Sequence, residues 1–132
     1  MSIKVKASLG TEKYYTEVIA GENKIITDEP IEQGGGNKGF NPFEILATSL
    51  ASCTAATLRM YIDKKGWNIP LINVEVELKN YPQIPKTQFG RTINFGADQL
   101  NEEIKDKLLK IANACPIHKM LTNNIEVLTQ IP

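Results

Sequence analysis

Asn41-Pro42-Phe43-Glu44-Ile45-Leu46-Ala47-Thr48-Ser49-Leu50-Ala51-Ser52-Cys53 is the stretch that decides the fold, and it continues through residues 54–62. Asn41 favours an N-cap because its side-chain oxygen can accept from the first free amides, and Pro42 lacks an N–H that would stay unpaired there. Glu44, at the third helical position, can complete a capping box. Cations and a glycine at residues 63–66 are typical of a helix C-terminus. We therefore predict one long helix that begins at Pro42 and ends at these residues.

The cysteine in this helix is predicted to lie on its packed face. The face is defined by residues that follow one another at steps of three or four, namely Leu46, Leu50, Cys53, Thr57 and Met60. Small side chains flank the cysteine on both sides, which would let another backbone come close. We therefore expect a buried helix in which Cys53 is present for chemistry.

The composition is that of one globular domain. The chain has 132 residues, of which 42% are hydrophobic, so we expect a single domain over residues 1–132. Fifteen basic and fifteen acidic residues cancel, which gives no electrostatic reason to expect nucleic acid or a membrane surface as a partner. The first ten residues alternate polar and apolar side chains, and this pattern argues against a signal peptide and predicts a cytoplasmic protein. Two cysteines in that reducing compartment are expected to be free thiols, either reactive or inert.

The N-terminal third predicts an antiparallel meander. Ile3, Val5 and Ala7 alternate with polar residues, as in a half-buried strand, and Gly10 ends the run. Residues 14–20 and 24–27 predict two more strands joined by the turn at residues 21–23.

A glycine-rich loop at residues 33–40 precedes the long helix. Its spacing fits neither the dinucleotide-binding nor the P-loop pattern, so a phosphate site is not favoured. Its glycines allow backbone conformations that other residues resist, and we expect a flexible approach to the helix that lines a pocket.

The middle of the chain predicts two further strands. Val74, Val76 and Leu78 alternate with polar residues, and residues 81–86, with two prolines, predict a loop. On the next strand Arg91 shares one parity with Phe89, Ile93 and Phe95. A guanidinium on an apolar face needs an anionic or carbonyl partner, so Arg91 is predicted either to form a structural ion pair or to hold an anion at the edge of a site.

The second cysteine is expected at the junction of two helices. A helix opened by Asp98 or Asn101 carries one face formed by Leu100, Ile104, Leu108, Ile111 and Cys115. Pro116 disfavours helical geometry at Cys115 and can begin a short turn over residues 116–121, so Cys115 would lie at an N-terminus that favours a thiolate. Residues 125–131 predict a last strand. The class is therefore α+β, with helices against a mostly antiparallel sheet.

These segments also form one pattern across nearly the whole chain. It consists of Asp28-Glu29-Pro30, the glycine-rich loop, Asn41-Pro42-x-Glu44 leading to Ala51-Ser52-Cys53-Thr54, and Ala114-Cys115-Pro116-Ile117-His118. The pattern resembles the OsmC/Ohr family of osmotically inducible and organic-hydroperoxide-resistance proteins, and is closest to the shorter OsmC-like branch. The resemblance implies an OsmC-like fold with a long central helix, an intertwined homodimer, and a cofactor-free and metal-free thiol peroxidase that reduces organic hydroperoxides.

The resemblance also implies roles for individual residues. Cys53 would attack the peroxide, Cys115 would resolve the product, and an external dithiol would reduce the resulting disulfide. The family holds its thiolate with an arginine in the early strands, but no arginine precedes Arg59 here, so Lys13 or Arg91 is the candidate cation. Glu44 is the candidate for the family's partner glutamate, although it lies nine residues before Cys53, where the family usually has ten, and nine steps place it nearly opposite Cys53 on the helix.

Other interpretations of the same residues stay open. Cys53 can be a small, inert core residue, since free cysteine is commonly buried. The protein can then be a binding or sulfur-handling module of the same fold. His118 with the two cysteines is only a weak zinc signal, because a second closely spaced ligand pair is missing. A serine hydrolase is not favoured, because no nucleophile elbow surrounds Ser49 or Ser52.

Overall fold

The computed structural model describes residues 1–96 and 100–132. The chain forms two compact units, Met1–Leu46 and Ala47–Pro132, with the boundary inside the long helix.

The first unit contains a three-stranded antiparallel sheet. Strands β1 (Lys6–Leu9), β2 (Thr16–Ala20) and β3 (Asn23–Thr27) follow one another in space as they do in sequence. Gly21 opens the two-residue turn between β2 and β3 with φ of +62°, a conformation that glycine adopts at little cost. The predicted meander is confirmed, although β1 starts later than predicted and Ile3 and Val5 are exposed before it.

The loop after β3 is organised around a buried carboxylate. Asp28 is 2% exposed, and its side chain accepts from the backbone N–H groups of Glu29 at 2.8 Å, Lys38 at 3.0 Å and Gly36 at 3.2 Å. These contacts lower the pKa of Asp28 from 3.8, chiefly through the Lys38 amide, although desolvation acts in the opposite direction. Amides that a phosphate would need are therefore already bonded to the chain's own carboxylate.

Two positions of this loop require glycine, because neighbouring backbone lies too close for a side chain. A Cβ on Gly35 would collide with the carbonyl oxygen of Glu29, and a Cβ on Gly39 would collide with that of Ile26. The loop is thus packed against its own neighbours, with a short 3-10 turn at Ile31–Gln33, and the expectation of a flexible segment is wrong.

The long helix, α1 (Pro42–Lys65), has the predicted ends. At its start the capping box is complete, because Asn41 N–H donates to Glu44 Oε1 at 2.9 Å and Glu44 N–H donates to Asn41 Oδ1 at 2.8 Å. By length and composition α1 could also cross a membrane, since an 18-residue window has mean hydropathy 1.2, but core helices of soluble proteins pass the same test.

The packed face of α1 differs from the prediction. The buried residues are Leu50, Thr54, Leu58 and Ile62, whereas Leu46 is 42% and Met60 71% exposed. Cys53 is half-buried beside this face. The prediction of a packed face through Leu46, Cys53 and Met60 is therefore wrong for the single chain. Small and apolar residues occur on every side of α1, so several of its faces show the same periodicity.

The second unit adds a hairpin and two helices to the rest of α1. Strands β4 (Asn73–Tyr81) and β5 (Lys86–Asn94) are antiparallel, and α2 (Glu102–Asn113) and α3 (Pro116–Leu121) follow. Asn101 caps α2 by accepting from Ile104 N–H at 2.9 Å, whereas Asp98, the alternative cap, lies outside the described residues. The core of this unit is formed by Leu58, Ile62, Ile69, Leu108 and Ala112.

Two expectations about the sheet need correction. The described strands form two separate sheets, one of three strands and one of two, where one mostly antiparallel sheet was predicted. The predicted last strand is absent from the single chain, since residues 124–132 carry no regular secondary structure. Its apolar side chains are 68–94% exposed, namely Ile125, Val127, Leu128 and Ile131. A strand needs an edge to pair with, and this segment has no backbone partner within the described chain.

Candidate thiol site

Cys115 lies where two helices meet. Pro116 is the first residue of α3, so α2 ends at Asn113 and Cys115 becomes the N-cap of α3, close to the predicted break. Its sulfur accepts from His118 N–H at 3.3 Å, as a serine oxygen would at this position. The residue has 0% exposure. The chain therefore buries a thiol and places a backbone donor on it.

Thr54 reaches the same sulfur from α1. Its side chain is also fully buried, and its hydroxyl lies 3.7 Å from Cys115 Sγ and 2.7 Å from the carbonyl oxygen of Leu50. The hydroxyl carries one proton, which it can direct to either acceptor. Thr54 thus connects the core face of α1 to the thiol.

Arg91 supplies the positive charge of the site. Side chains alternate between the two faces of β5, and Arg91 lies on the half-buried face, where it pairs with Val76 of β4. One Nη donates to Thr54 Oγ1 at 3.0 Å, and the other donates to Asn113 Oδ1 at 2.9 Å and to His118 Nδ1 at 3.0 Å. Because a guanidinium only donates, His118 Nδ1 is the acceptor and the imidazole proton lies on Nε2.

The partners of Arg91 are all uncharged. In the part of the chain that the structure describes, Arg91 forms no salt bridge with a carboxylate. Of the two predicted roles, a structural ion pair is therefore not found among the described residues, and the role of anion holder stays a prediction. The acidic group on which its charge acts is the thiol of Cys115.

These contacts decide the acidity of Cys115. Desolvation by burial raises its pKa and is the largest single effect, but several contacts oppose it. They are hydrogen bonds from His118 N–H, from the Thr54 hydroxyl and from the thiol of Cys53, together with the charge of Arg91. Their combined effect lowers the pKa of Cys115 from its ordinary value of 9.0. This direction supports the predicted tendency of the position towards a thiolate.

Cys53 meets Cys115 from the neighbouring helix. It precedes Thr54 on α1, is half-buried, and lies near enough to the sulfur of Cys115 to act on its acidity. Both thiols are free. The structure thus brings together three of the five predicted site residues, Cys53, Cys115 and Arg91, all within the second unit.

The other two predicted residues belong to the first unit. Glu44 takes part in the capping box of α1. Lys13 lies exposed in the turn between β1 and β2.

Two members of the site were not singled out by the sequence. Thr54 and Asn113 are neutral residues, and the signal that could have drawn attention to them is that each lies within two positions of a cysteine along the chain. Thr54 also ends the Ala51-Ser52-Cys53-Thr54 pattern, but no role was predicted for it. His118 was considered only as a metal ligand or a hydrolase residue, but its backbone N–H and Nδ1 both serve the thiol network.

Comparison with known proteins agrees with this fold. A protein of Psychrobacter arcticus 273-4 assigned to osmotic stress induction and detoxification response is 25% identical, with a TM-score of 0.75 over 88% of this chain and 85% of that chain. The OsmC like protein of Mycoplasma pneumoniae is 21% identical, with a TM-score of 0.72 over 92% and 88%. The organic hydroperoxide resistance protein OhrB of Bacillus subtilis is 22% identical, with a TM-score of 0.62 over 94% and 93%.

Sequence comparison gives two further matches. Phosphoribosylformylglycinamidine cyclo-ligase of Prochlorococcus marinus subsp. pastoris is 35% identical over 80 residues, which are 58% of this chain and 22% of that protein. The chain spans about a fifth of that relative's length, too little to transfer its named activity. The family model described as OsmC-like protein matches residues 35–130, which include both cysteines and Arg91. The chain therefore belongs to the OsmC-like family.

Proposed function

We propose that this protein uses its two thiols to reduce organic hydroperoxides. The single observation that supports this most directly is the proximity of Cys53 to Cys115, next to a guanidinium without a carboxylate partner among the described residues. The structural relatives include a protein named for organic hydroperoxide resistance, OhrB of Bacillus subtilis. Cys53, the more accessible sulfur, attacks the substrate, and Cys115 resolves the product.

The proposed reaction needs no cofactor. The Cys53 thiolate attacks the distal peroxide oxygen and becomes a sulfenic acid as the O–O bond breaks. The alkoxide that leaves takes up a proton from solvent and becomes the alcohol. Cys115 then attacks the sulfur of Cys53, releasing the hydroxyl group as water and forming a disulfide. An external dithiol transfers two electrons to this disulfide and restores both thiols.

Arg91 is the better supported of the two candidate cations. Its charge acts on the Cys115 sulfur, and its hydrogen bonds fix it against Thr54, Asn113 and His118. Lys13 and Glu44 stay predicted contributors.

We propose further that the protein is a cytoplasmic homodimer with a single OsmC-like domain per chain. Support for a second copy comes from the exposed apolar residues of the C-terminal segment 125–131 and from the exposed Met60 on α1. Large exposed apolar surfaces of soluble proteins commonly mark protein–protein contact sites.

Treatment of the reduced protein with cumene hydroperoxide tests the reaction. One equivalent is expected to produce a Cys53–Cys115 disulfide, identified by peptide mass mapping. C115S is expected to stop at an oxidised Cys53, whereas C53S is expected to form no disulfide. Wild-type protein that shows neither the disulfide nor any oxidation of Cys53 would contradict the proposal.

One observation favours a second candidate function. Cys115 is entirely buried, and a buried free cysteine commonly acts as a small, unreactive core residue. In this alternative the protein is an OsmC-like module that binds a small molecule or handles sulfur, and its thiols titrate like free cysteine. Iodoacetamide labelling against pH distinguishes the two candidates, because a peroxidase requires a thiol that reacts near neutral pH.

A further inference from the structure

The donors and the positive charge of the site converge on Cys115, although Cys53 is the sulfur proposed to attack. Cys115 Sγ receives the His118 N–H at 3.3 Å and faces the Thr54 hydroxyl at 3.7 Å. Arg91 donates to the oxygen of that same hydroxyl at 3.0 Å. The hydroxyl proton therefore points away from Arg91, towards the Leu50 carbonyl or the Cys115 sulfur. Cys53 meets this network at the Cys115 sulfur, whose acidity it increases.

We propose that the reduced protein holds a thiol–thiolate pair with the negative charge on Cys115, and that Cys115 is the general base that activates Cys53. This inference rests on the proposed function and assigns Cys115 a role before resolution. It gives a physical reason for an active Cys53 in a chain with no arginine in its early strands. Arg91, Thr54 and His118 are then positioning residues, which act on Cys53 through Cys115.

The steps balance in protons and charge. The Cys53 proton moves to the Cys115 thiolate, and the Cys53 thiolate attacks the distal oxygen of the hydroperoxide. The O–O bond breaks and leaves an alkoxide, which takes the proton back from Cys115 and departs as the alcohol. Cys115, again a thiolate, attacks the sulfenic acid of Cys53, forms the disulfide and releases hydroxide. One negative charge is present at the beginning and at the end.

The surroundings of Cys115 contain the groups that this role requires. The titratable or charged side chains that face it are Cys53 from α1, Arg91 from β5 and His118 from α3. The nearest residue of α2 in the network is Asn113, which is neutral and accepts from Arg91. A thiolate at Cys115 gives the guanidinium a negative partner, where otherwise its partners among the described residues are three uncharged acceptors.

The first test measures where the charge lies, independently of peroxidase activity. Thiolate absorbance near 240 nm is followed against pH in C53S and in C115S. C53S is expected to retain a thiolate that persists to lower pH than in a free thiol, and C115S is expected to lose it. The opposite result, a low-pH thiolate in C115S and none in C53S, would overturn the proposal.

The second test measures the first chemical step. Sulfenic acid at Cys53 is trapped with dimedone and quantified by mass after a brief pulse of cumene hydroperoxide. At neutral pH C115S is expected to form it about 100-fold more slowly than wild type, the size of a typical general-base contribution. C115D supplies a base that cannot form a disulfide, so it is expected to recover part of the rate while yielding no disulfide.

Arginine substitutions provide the matched control. R91M is expected to move the pH midpoint of the trapping rate upwards, and R91K to restore part of the shift. R59M removes the chain's other arginine, which bonds to Asp63 and the Ile69 carbonyl, and is expected to leave the midpoint unchanged. Wild-type disulfide formation combined with an unaltered trapping rate and pH profile in C115S would refute the base role while leaving the proposed function intact.

Discussion

Asp28 is a buried carboxylate that accepts from three backbone amides, and its pKa is held below the ordinary 3.8, first of all by the Lys38 N–H. Because the folded pKa is depressed, the stabilisation that Asp28 provides is complete above 3.8. It is lost as the pH falls through the lower folded value. Asp28 therefore stabilises the loop before α1 fully at neutral pH.

D28N is therefore expected to lower the free energy of unfolding at neutral pH, because an amide side chain presents fewer acceptors to the three N–H groups. The difference from wild type is expected to shrink below pH 3.8. Urea unfolding at several pH values measures it. D63N is the control, since Asp63 is 63% exposed in a surface ion pair of small worth. A D28N deficit that stays constant with pH would contradict this account.

Thr54 links Arg91 to the Cys115 thiol through one hydroxyl. T54V keeps the shape but removes the acceptor of Arg91, which is expected to destabilise the protein by about 1–3 kcal/mol. The same change removes a donor to Cys115, so its thiolate is expected to form at higher pH. Denaturant unfolding and thiolate absorbance measure the two effects. T54S retains the hydroxyl, and a T54S variant whose thiolate titration shifts as far as that of T54V would show that the hydroxyl is not the cause.

At the scale of single elements, the glycine-rich loop is a packed structure. Gly39 lies so close to β3 that a Cβ would collide with the Ile26 carbonyl oxygen, which is rigid backbone. G39A is expected to lower the free energy of unfolding by about 1–3 kcal/mol, as overpacking does. Thermal unfolding measures the loss. G10A is the matched control, because a Cβ on Gly10 meets nothing within 4 Å. Equal melting temperatures for the two variants would contradict the packing argument.

The start of α1 and the start of α3 were predictable from the sequence because they depend on local chemistry. The capping box at Asn41 and the break that Pro116 imposes after Cys115 are set by neighbours along the chain. The buried face of α1 was not predictable in this way. That helix carries small and apolar side chains on every side, so only the elements packed against it decide that Thr54 is buried and Met60 is exposed.

The candidate site was predictable in part for the same reason. Both cysteines carry chemistry that the sequence displays, and Arg91 shows an unusual pattern, since it lies on the same face of β5 as apolar residues. Thr54 and Asn113 become important only because β5 packs them against one guanidinium. Contacts of that kind arise from residues far apart in sequence and leave no local signal.

At the scale of the whole molecule, the C-terminal segment is the feature that a single chain leaves incomplete. Residues 125–131 are without regular structure, and the four apolar residues among these seven are exposed. A segment of this kind can pair with the sheet edge of a second copy. The expected state in sedimentation velocity is a dimer.

A triple variant tests the role of this segment. I125N, V127N and I131N together remove the apolar side chains that alternate along it, and are expected to shift the protein to monomer. I84N is the control, since Ile84 is 59% exposed in the turn between β4 and β5. A triple variant that sediments as wild type, or a wild-type monomer, would contradict this role.

Arg91 has no acidic side chain as a salt-bridge partner in the described chain, and this has a thermodynamic consequence for the oxidised protein. A disulfide between Cys53 and Cys115 carries no charge, so oxidation would leave the guanidinium without the anion that it stabilises. Stabilising the dithiol form in this way raises the reduction potential of the couple, as it does in strongly oxidising disulfide proteins. The disulfide is therefore expected to be strongly oxidising, so that an external dithiol reduces it readily and restores both thiols after each turnover.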